Sequence, residues 1–178
     1  MCIRDSIEPS IAKVVPLGKM RGHQLGRLEI CPFKYNPVTG ALMVYSDLVI
    51  EIVFNGANHS KTKRIHDKLR SSHFNNSFAK LINAQNYSNK DMLTTYPVKY
   101  VIVADPAFQS ALQPLIEWKR KKGFTVIEAY TNNPSVGTTT TSIKSFLEGL
   151  YNAGTATDPA PSYLLIVGDI AQVPSFNG

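Results

Sequence analysis

Catalytic side chains are what this chain is short of. Of 178 residues, two are cysteine, four histidine and one tryptophan, so a nucleophile and its base have few places to meet. Cys2 lies in a charged leader, MCIRDS, without the apolar core of a signal peptide. Two cysteines reveal little about redox compartment, and with Cys2 in that leader a native Cys2–Cys31 disulfide has little support. No apolar run approaches the roughly 20 residues of a membrane span. Glycine fingerprints of nucleotide-binding loops are missing as well. Acids number 13 against 19 lysines and arginines, for a formal charge of +6. A calcium ion seeks roughly six to eight oxygen ligands, of which Asp105 and Asp169 together would supply only part.

What remains is ordinary globular material, 43% hydrophobic and 18% charged, enough for one or two domains of roughly 100 to 200 residues. Residues 94–178 carry the clearest pattern. VKYVIVA (98–104), FTVIEAY (124–130) and YLLIV (163–167) are short apolar runs rich in β-branched and aromatic residues, as buried strands require. Between the first two, Ala111, Leu112, Leu115, Ile116 and Trp118 recur at helical spacing. Pro114 places the start of that helix near Ser110, and Lys119 to Lys122 crowd its last turn, complementing the helix dipole before Gly123. Ile143, Phe146, Leu147, Leu150 and Tyr151 mark a second helix ending at Gly154. Strands alternating with such helices imply parallel pairing with right-handed crossovers, hence a βαβαβ unit with helices covering the sheet. Three strands leave an edge open, so the unit is expected to be incomplete, continued by residues beyond Gly178.

Residues 7–55 read differently. From 25 to 54 the pattern is strand-like, and Leu48, Ile50, Ile52 and Phe54 fall on one face with Val49, Glu51 and Val53 on the other. Tyr35-Asn36-Pro37-Val38-Thr39-Gly40 is a reversal signal. Gly22, Gly26 and Pro32 interrupt the earlier strands. The expectation is an antiparallel, β-rich segment, part of a sandwich. Residues 56–93 form a basic connector holding Lys61, Lys63, Arg64, Lys68, Arg70, Lys80 and Lys90 against Asp67 and Asp91. It is expected to be exposed, with Phe74, Phe78, Leu81 and Ile82 able to dock one short helix.

Each reactive residue type has a structural reading beside its functional one. Cys31, between Ile30 and Pro32, reads as a small buried hydrophobe. His59, His66 and His73 lack the cysteines or acids that complete a zinc tetrahedron and read as solvated connector residues. His23 reads as a surface or turn residue. Asp105 and Asp169 end the first and third strands at the sheet edge where α/β folds place ligands, so they are candidate cleft-edge carboxylates. The structural reading, a strand-ending turn with an Asp cap, is favoured over the functional one. Gly137-Thr138-Thr139-Thr140-Thr141 lacks the second glycine and lysine of a phosphate loop and reads as a threonine-capped helix start. The lysines at 119–122 have no interleaved aromatic surface for base stacking, which excludes nucleic acid as a partner.

Three ordered blocks, LIEWKRKKGFTV (115–126), GTTTTSIK (137–144) and YLLIVGD (163–169), resemble the start of the gingipain-type cysteine peptidases. The YNPVTG turn with the valine- and isoleucine-rich stretch after it, and Ser72-His73-Phe74, resemble the end of that family's propeptide. The resemblance implies a β-rich prosegment ahead of a caspase-like three-layer α/β domain, in a secreted or surface-exposed bacterial endopeptidase acting on polypeptides. It implies a cysteine nucleophile and a histidine placed past the Val-Gly-Asp strand, so no catalytic residue is assigned within this chain, which is expected to be inactive alone. It also implies contact between prosegment and catalytic domain, and an activation cut among the connector's basic residues. No cofactor or metal is assigned, calcium being possible for the whole enzyme. The competing reading is a non-catalytic cell-surface or adhesion module whose α/β unit supports a β-sandwich.

Overall fold

The computed structural model describes residues 10–83 and 96–176. The chain divides into two compact units, Met1–Thr62 and Lys63–Gly178.

The first unit holds two antiparallel hairpins in separate two-stranded sheets. Strands β1 (Ala12–Met20) and β2 (His23–Ile30) pair from Ala12↔Ile30 to Met20↔His23. Their two-residue turn has positive φ at both Arg21 (46°) and Gly22 (81°), the backbone twist that matches the flanking strands. Gly22 is therefore a turn residue, not an interruption. The register slips between Pro16 and Gly18, where proline has no N–H to give the ladder. Strands β3 (Phe33–Asn36) and β4 (Ala41–Val44) are joined by the expected reversal. There Asn36 Oδ1 accepts from the amides of Val38 at 3.0 Å and Thr39 at 3.3 Å, and Gly40 takes φ 66°. The strand-like alternation at 48–54 forms no strand. Alternation prepares two faces but supplies no ladder partner, and Val49 is 96% and Phe54 66% exposed.

The second unit opens with the end of helix α1 (His59–Lys68), a 3-10 turn (Ser72–Phe74) and one turn of helix, α2 (Asn75–Phe78). The βαβαβ array follows: β5 (Val98–Ala104), α3 (Gln109–Lys121), β6 (Phe124–Tyr130), α4 (Thr140–Asn152) and β7 (Tyr163–Val167). All pairing is parallel, in the order β6-β5-β7. The chain steps from β5 to β6 and then back across β5 to β7. With crossover hand fixed, opposite steps put the two helices on opposite faces. Alternate residues of β5 confirm this: Val101 and Val103 pack with Ile143 of α4, while Ile102 and Ala104 pack with Leu112 and Ile116 of α3. The result is a three-layer α/β sandwich.

Candidate functional site

Local chemistry builds the carboxyl edge of the sheet. Asp105 ends β5 and caps the short turn Pro106–Phe108, its Oδ1 accepting from the Ala107 amide at 2.9 Å. Asp169 follows Gly168 after β7, and its Oδ1 accepts from the Ile170 amide at 2.7 Å. Its carbonyl accepts from Gln172 and Val173, and its own amide donates to Gln172 Oε1 at 2.7 Å. Since Ala104 pairs with Val167, neighbouring strands present both carboxylates at one edge. Each is engaged in its own turn. Among the described residues no three His, Cys, Asp or Glu side chains come together as metal ligands, so the pair does not fit a calcium shell.

Next to them, the threonine run starts α4 as a capping box. Thr139 Oγ1 accepts from the Ser142 amide and Ser142 Oγ from the Thr139 amide, both at 3.1 Å. Gly137 precedes it at φ 72°, where a Cβ would collide with Ser142 Oγ. A helix cap, with no phosphate cradle, occupies this loop.

On β6, Glu128 gathers the Tyr130 hydroxyl and Arg120 Nη2 at 2.8 Å each, with Gln113 Nε2 at 3.4 Å. Burial raises its pKa, but the bonds from Tyr130, Gln113 and Arg120 together outweigh that and hold it below the usual carboxylate value. Burial and the adjacent carboxylate push Tyr130 up to about 12. The cluster ties α3 to the sheet.

The opposite, amino edge carries what the sequence concealed. Tyr100, Phe124 and Tyr163 meet there with ring centroids 5.7 to 5.8 Å apart. Lys119 Nζ lies 4.5 Å from the Tyr100 ring and 5.0 Å from that of Phe124, a cation–π arrangement that accounts for one of the four clustered cations. Arg120 serves Glu128, and Lys122 Nζ covers Trp118 at 4.4 Å.

Part of the basic connector seats on this edge. His73 meets Phe124 edge-on at 5.0 Å, and its Nδ1 lies 3.1 Å from the Tyr163 hydroxyl. Phe74 packs on Tyr163 at 5.8 Å. The Ala160 amide donates to the Lys68 carbonyl at 2.8 Å, and Lys68 Nζ reaches Asn152 Oδ1 at 3.2 Å while lying 4.0 Å from the Tyr151 ring. Leu69 and Ser71 are buried, Ser71 Oγ without a hydrogen-bond partner. His73 is thus a packing residue of an aromatic cluster, not a histidine surrounded by solvent alone. Periodicity could not have found this, because its partners lie 51 to 90 positions away in sequence.

The candidate cleavage residues divide by structure. Lys61, Lys63 and Arg64 lie within α1, exposed. Lys63 bonds Asp67 at 2.7 Å, and Arg70 Nη2 bonds the same carboxylate at 2.8 Å while its guanidinium faces Tyr96. Burial raises the Asp67 pKa, yet Lys63 by hydrogen bond and charge, with the charges of Arg70 and His66, pulls it below the ordinary value. Lys68 is half-buried, and Lys80 is exposed after the last helical turn. Lys90 and Cys2 lie outside the described residues. Cys31 is half-buried rather than buried, its Sγ 3.4 Å from the Phe33 carbonyl. His23 is also half-buried, and burial lowers its pKa. It begins β2 instead of lying in a turn.

Residues 93–177 match the profile of Peptidase family C25, and residues 5–84 match that of its propeptide. Lys-gingipain and Lys-gingipain 381, both of Porphyromonas gingivalis, are each 38% identical over 168 residues, 94% of this chain and 10% of their own length. The chain therefore spans about a tenth of these curated relatives. A solved structure described as a protease is 41% identical, covering 48% of this chain and 19% of its own, with a TM-score of 0.44.

Proposed function

The chain belongs to peptidase family C25, joining a C25 propeptide to part of a C25 catalytic domain, and from that premise we propose that it is a stretch of a gingipain-like cysteine endopeptidase precursor. The observation that carries the reading is the order of parts. An antiparallel β segment matching the propeptide precedes a parallel three-layer unit matching the peptidase. The whole protein would be a secreted bacterial enzyme acting on polypeptides. Its thiolate would attack the scissile carbonyl, a histidine would carry the proton to the leaving amine, and backbone amides would hold the oxyanion.

None of those roles falls on a described residue. Cys31 is the described cysteine, and the contact of its sulfur is a backbone carbonyl, whereas a nucleophile needs a base within hydrogen-bond reach. The α/β unit acts as scaffold. Asp105 and Asp169 shape the loops at its carboxyl edge, the edge at which such sheets bind ligands.

Processing would fall at Lys80 or Lys90. A peptidase takes its substrate extended, and Lys61, Lys63, Arg64 and Lys68 are held in α1, while Arg70 is engaged by Asp67. Limited trypsinolysis should therefore cut first between Lys61 and Lys90, and at the later end of that stretch. Initial cuts inside 98–169 would contradict the assignment.

The encoding reading frame tests the enzyme itself. A His-Gly pair downstream, followed by a cysteine ending an apolar strand, is the expected outcome. Further β repeats without that pair would leave the adhesion reading in its place. Hydrolysis of Lys- or Arg-containing peptides by the 178-residue chain, lost on Cys31→Ala, would overturn the scaffold role.

A further inference from the structure

Asn55-Gly56 forms an exposed turn between the stretch at 48–54, which pairs with no strand, and helix α1. An asparagine followed by glycine sets an electrophile, the side-chain amide carbon, beside a nucleophile, the next backbone nitrogen. We propose that Asn55 is a site of spontaneous modification, converted in the folded protein to aspartyl and isoaspartyl forms.

The chemistry needs only water. The Gly56 backbone nitrogen gives up its proton to solvent and attacks Cγ of Asn55, a C–N bond forms, the Cγ–Nδ2 bond breaks, and ammonia leaves a succinimide ring. Water then opens the ring at either carbonyl. Cleavage of the Cγ–N bond gives aspartate on an ordinary backbone. Cleavage of the bond from nitrogen to the main-chain carbonyl carbon gives isoaspartate, with the chain routed through the former side chain. Nothing is oxidised or reduced.

The turn leaves both reacting groups free to meet. The Gly56 amide and the Asn55 side chain make no hydrogen bond with another described residue. Gly56 takes φ 69°, and a Cβ there would meet nothing within 4 Å, so the ring has room to close. Other asparagines are held differently. Asn36, Asn58, Asn133 and Asn152 each use Oδ1 as a hydrogen-bond acceptor. Asn36 and Asn133 also precede prolines, whose nitrogen has no proton to lose.

Either product adds a carboxylate ahead of α1, whose first turn holds no acid, and lowers the chain's formal charge of +6 by one. A negative charge at that end complements the helix dipole. The isoaspartyl form also lengthens the main chain by one methylene where the β segment meets the connector. Charge and backbone there would thus change with the age of the molecule.

The test follows the full chain, folded, in mildly alkaline buffer over days. Trypsin releases residues 35–61 as one peptide holding Asn36, Asn55 and Asn58, and fragmentation mass spectrometry locates the exchange of NH for O. Methylation by protein isoaspartyl methyltransferase scores the isoaspartate. The other Asn-Gly pair, Asn177-Gly178, falls in a different peptide. Product at Asn55 should exceed that at Asn58 by an order of magnitude, and the folded chain should react within an order of magnitude of the same chain in urea. Equal product at the two asparagines, or a folded chain slower than that, would overturn the proposal.

Variants separate ring closure from other routes. Gly56→Ala puts a side chain on the attacking residue and should slow the reaction several-fold, while Asn55→Gln requires a larger ring and should leave position 55 unmodified. An unchanged rate in Gly56→Ala would equally overturn the proposal. Both positions are exposed, and circular dichroism of each variant shows that the same fold is being compared.

Discussion

The two hairpins and the parallel sheet are both built on paired strands, yet only one of them has an interior. Among the described residues every buried hydrophobic side chain lies at Leu69 or later. In the hairpins, Leu17, Phe33, Tyr35, Leu42 and Val44 stand between 53% and 67% exposed. Around β5 the corresponding side chains are at 0 or 1%. The contrast separates two things often credited to one cause. A turn with the right positive φ and an Asx-type cap sets a hairpin's register locally, whereas its stability depends on apolar area removed from water. The first unit has the former and, by itself, little of the latter.

The largest test of this contrast compares one truncation in each region. Ile116, fully buried under the sheet, should cost about 2–5 kcal/mol as Ile116→Ala. Val44→Ala, at a site 67% exposed, should stay within about 0.5 kcal/mol. Denaturant unfolding is followed by tryptophan fluorescence for the α/β unit, since Trp118 lies in α3, and by amide exchange at β3 and β4 for the hairpin. Equal losses from both would erase the distinction.

A smaller effect probes the seat of the connector on the α/β unit. A Cβ on Gly154 would lie 2.7 Å from the Ala160 amide nitrogen, the group that binds the Lys68 carbonyl. Backbone cannot swing aside like a side chain, so Gly154→Ala should destabilise by roughly 1–3 kcal/mol. Amide exchange at Ala160 should rise more than at Val101. Unchanged exchange at Ala160 would show that this bond does not hold the connector.

The mildest test is acid. Burial lowers the pKa of His23 from 6.5. The unfolded chain therefore takes up its proton first, and the hairpin loses stability as pH falls from about 6.5 through the folded value. Asp67, with its pKa held below 3.8, gives the opposite order on the other unit. There the folded carboxyl keeps its charge longer, and its contribution is intact above about 3.8 and lost only as pH falls through the lower folded value. Imidazole and carboxyl shifts followed by NMR should show the hairpin responding first. Loss of the α1 ion pairs ahead of any change at His23 would reverse this ranking.

Much of the α/β unit was legible because its signals are local. The runs at 98–104, 124–130 and 163–167 became β5, β6 and β7 with those ends, and α3 begins at Gln109, one residue before the expected Ser110. The cap at Thr139 was readable for the same reason, since donor and acceptor are three residues apart. Strand β1 was not legible: Pro16, Gly18 and two lysines break any alternation over 12–20, and only pairing with β2 keeps it extended. At 48–54 the error ran the other way, alternation promising a strand that no neighbour completes. Of the site residues, Asp105 and Asp169 could be placed at one sheet edge from order alone, and the strand-ending cap is the reading that their local hydrogen bonds match. The seating of His73 left no signal at all.

By itself the sequence determined the parallel βαβαβ order, the cap of α4 and the β3–β4 turn, because each follows from residues within a few positions of one another. Only tertiary structure decided that the basic connector belongs in part to the peptidase unit. Leu69, His73 and Phe74 acquire that role from surfaces supplied by Phe124, Tyr151, Ala160 and Tyr163. Burial and edge-on ring contact are relations between distant segments, and a chain states them only once it has folded.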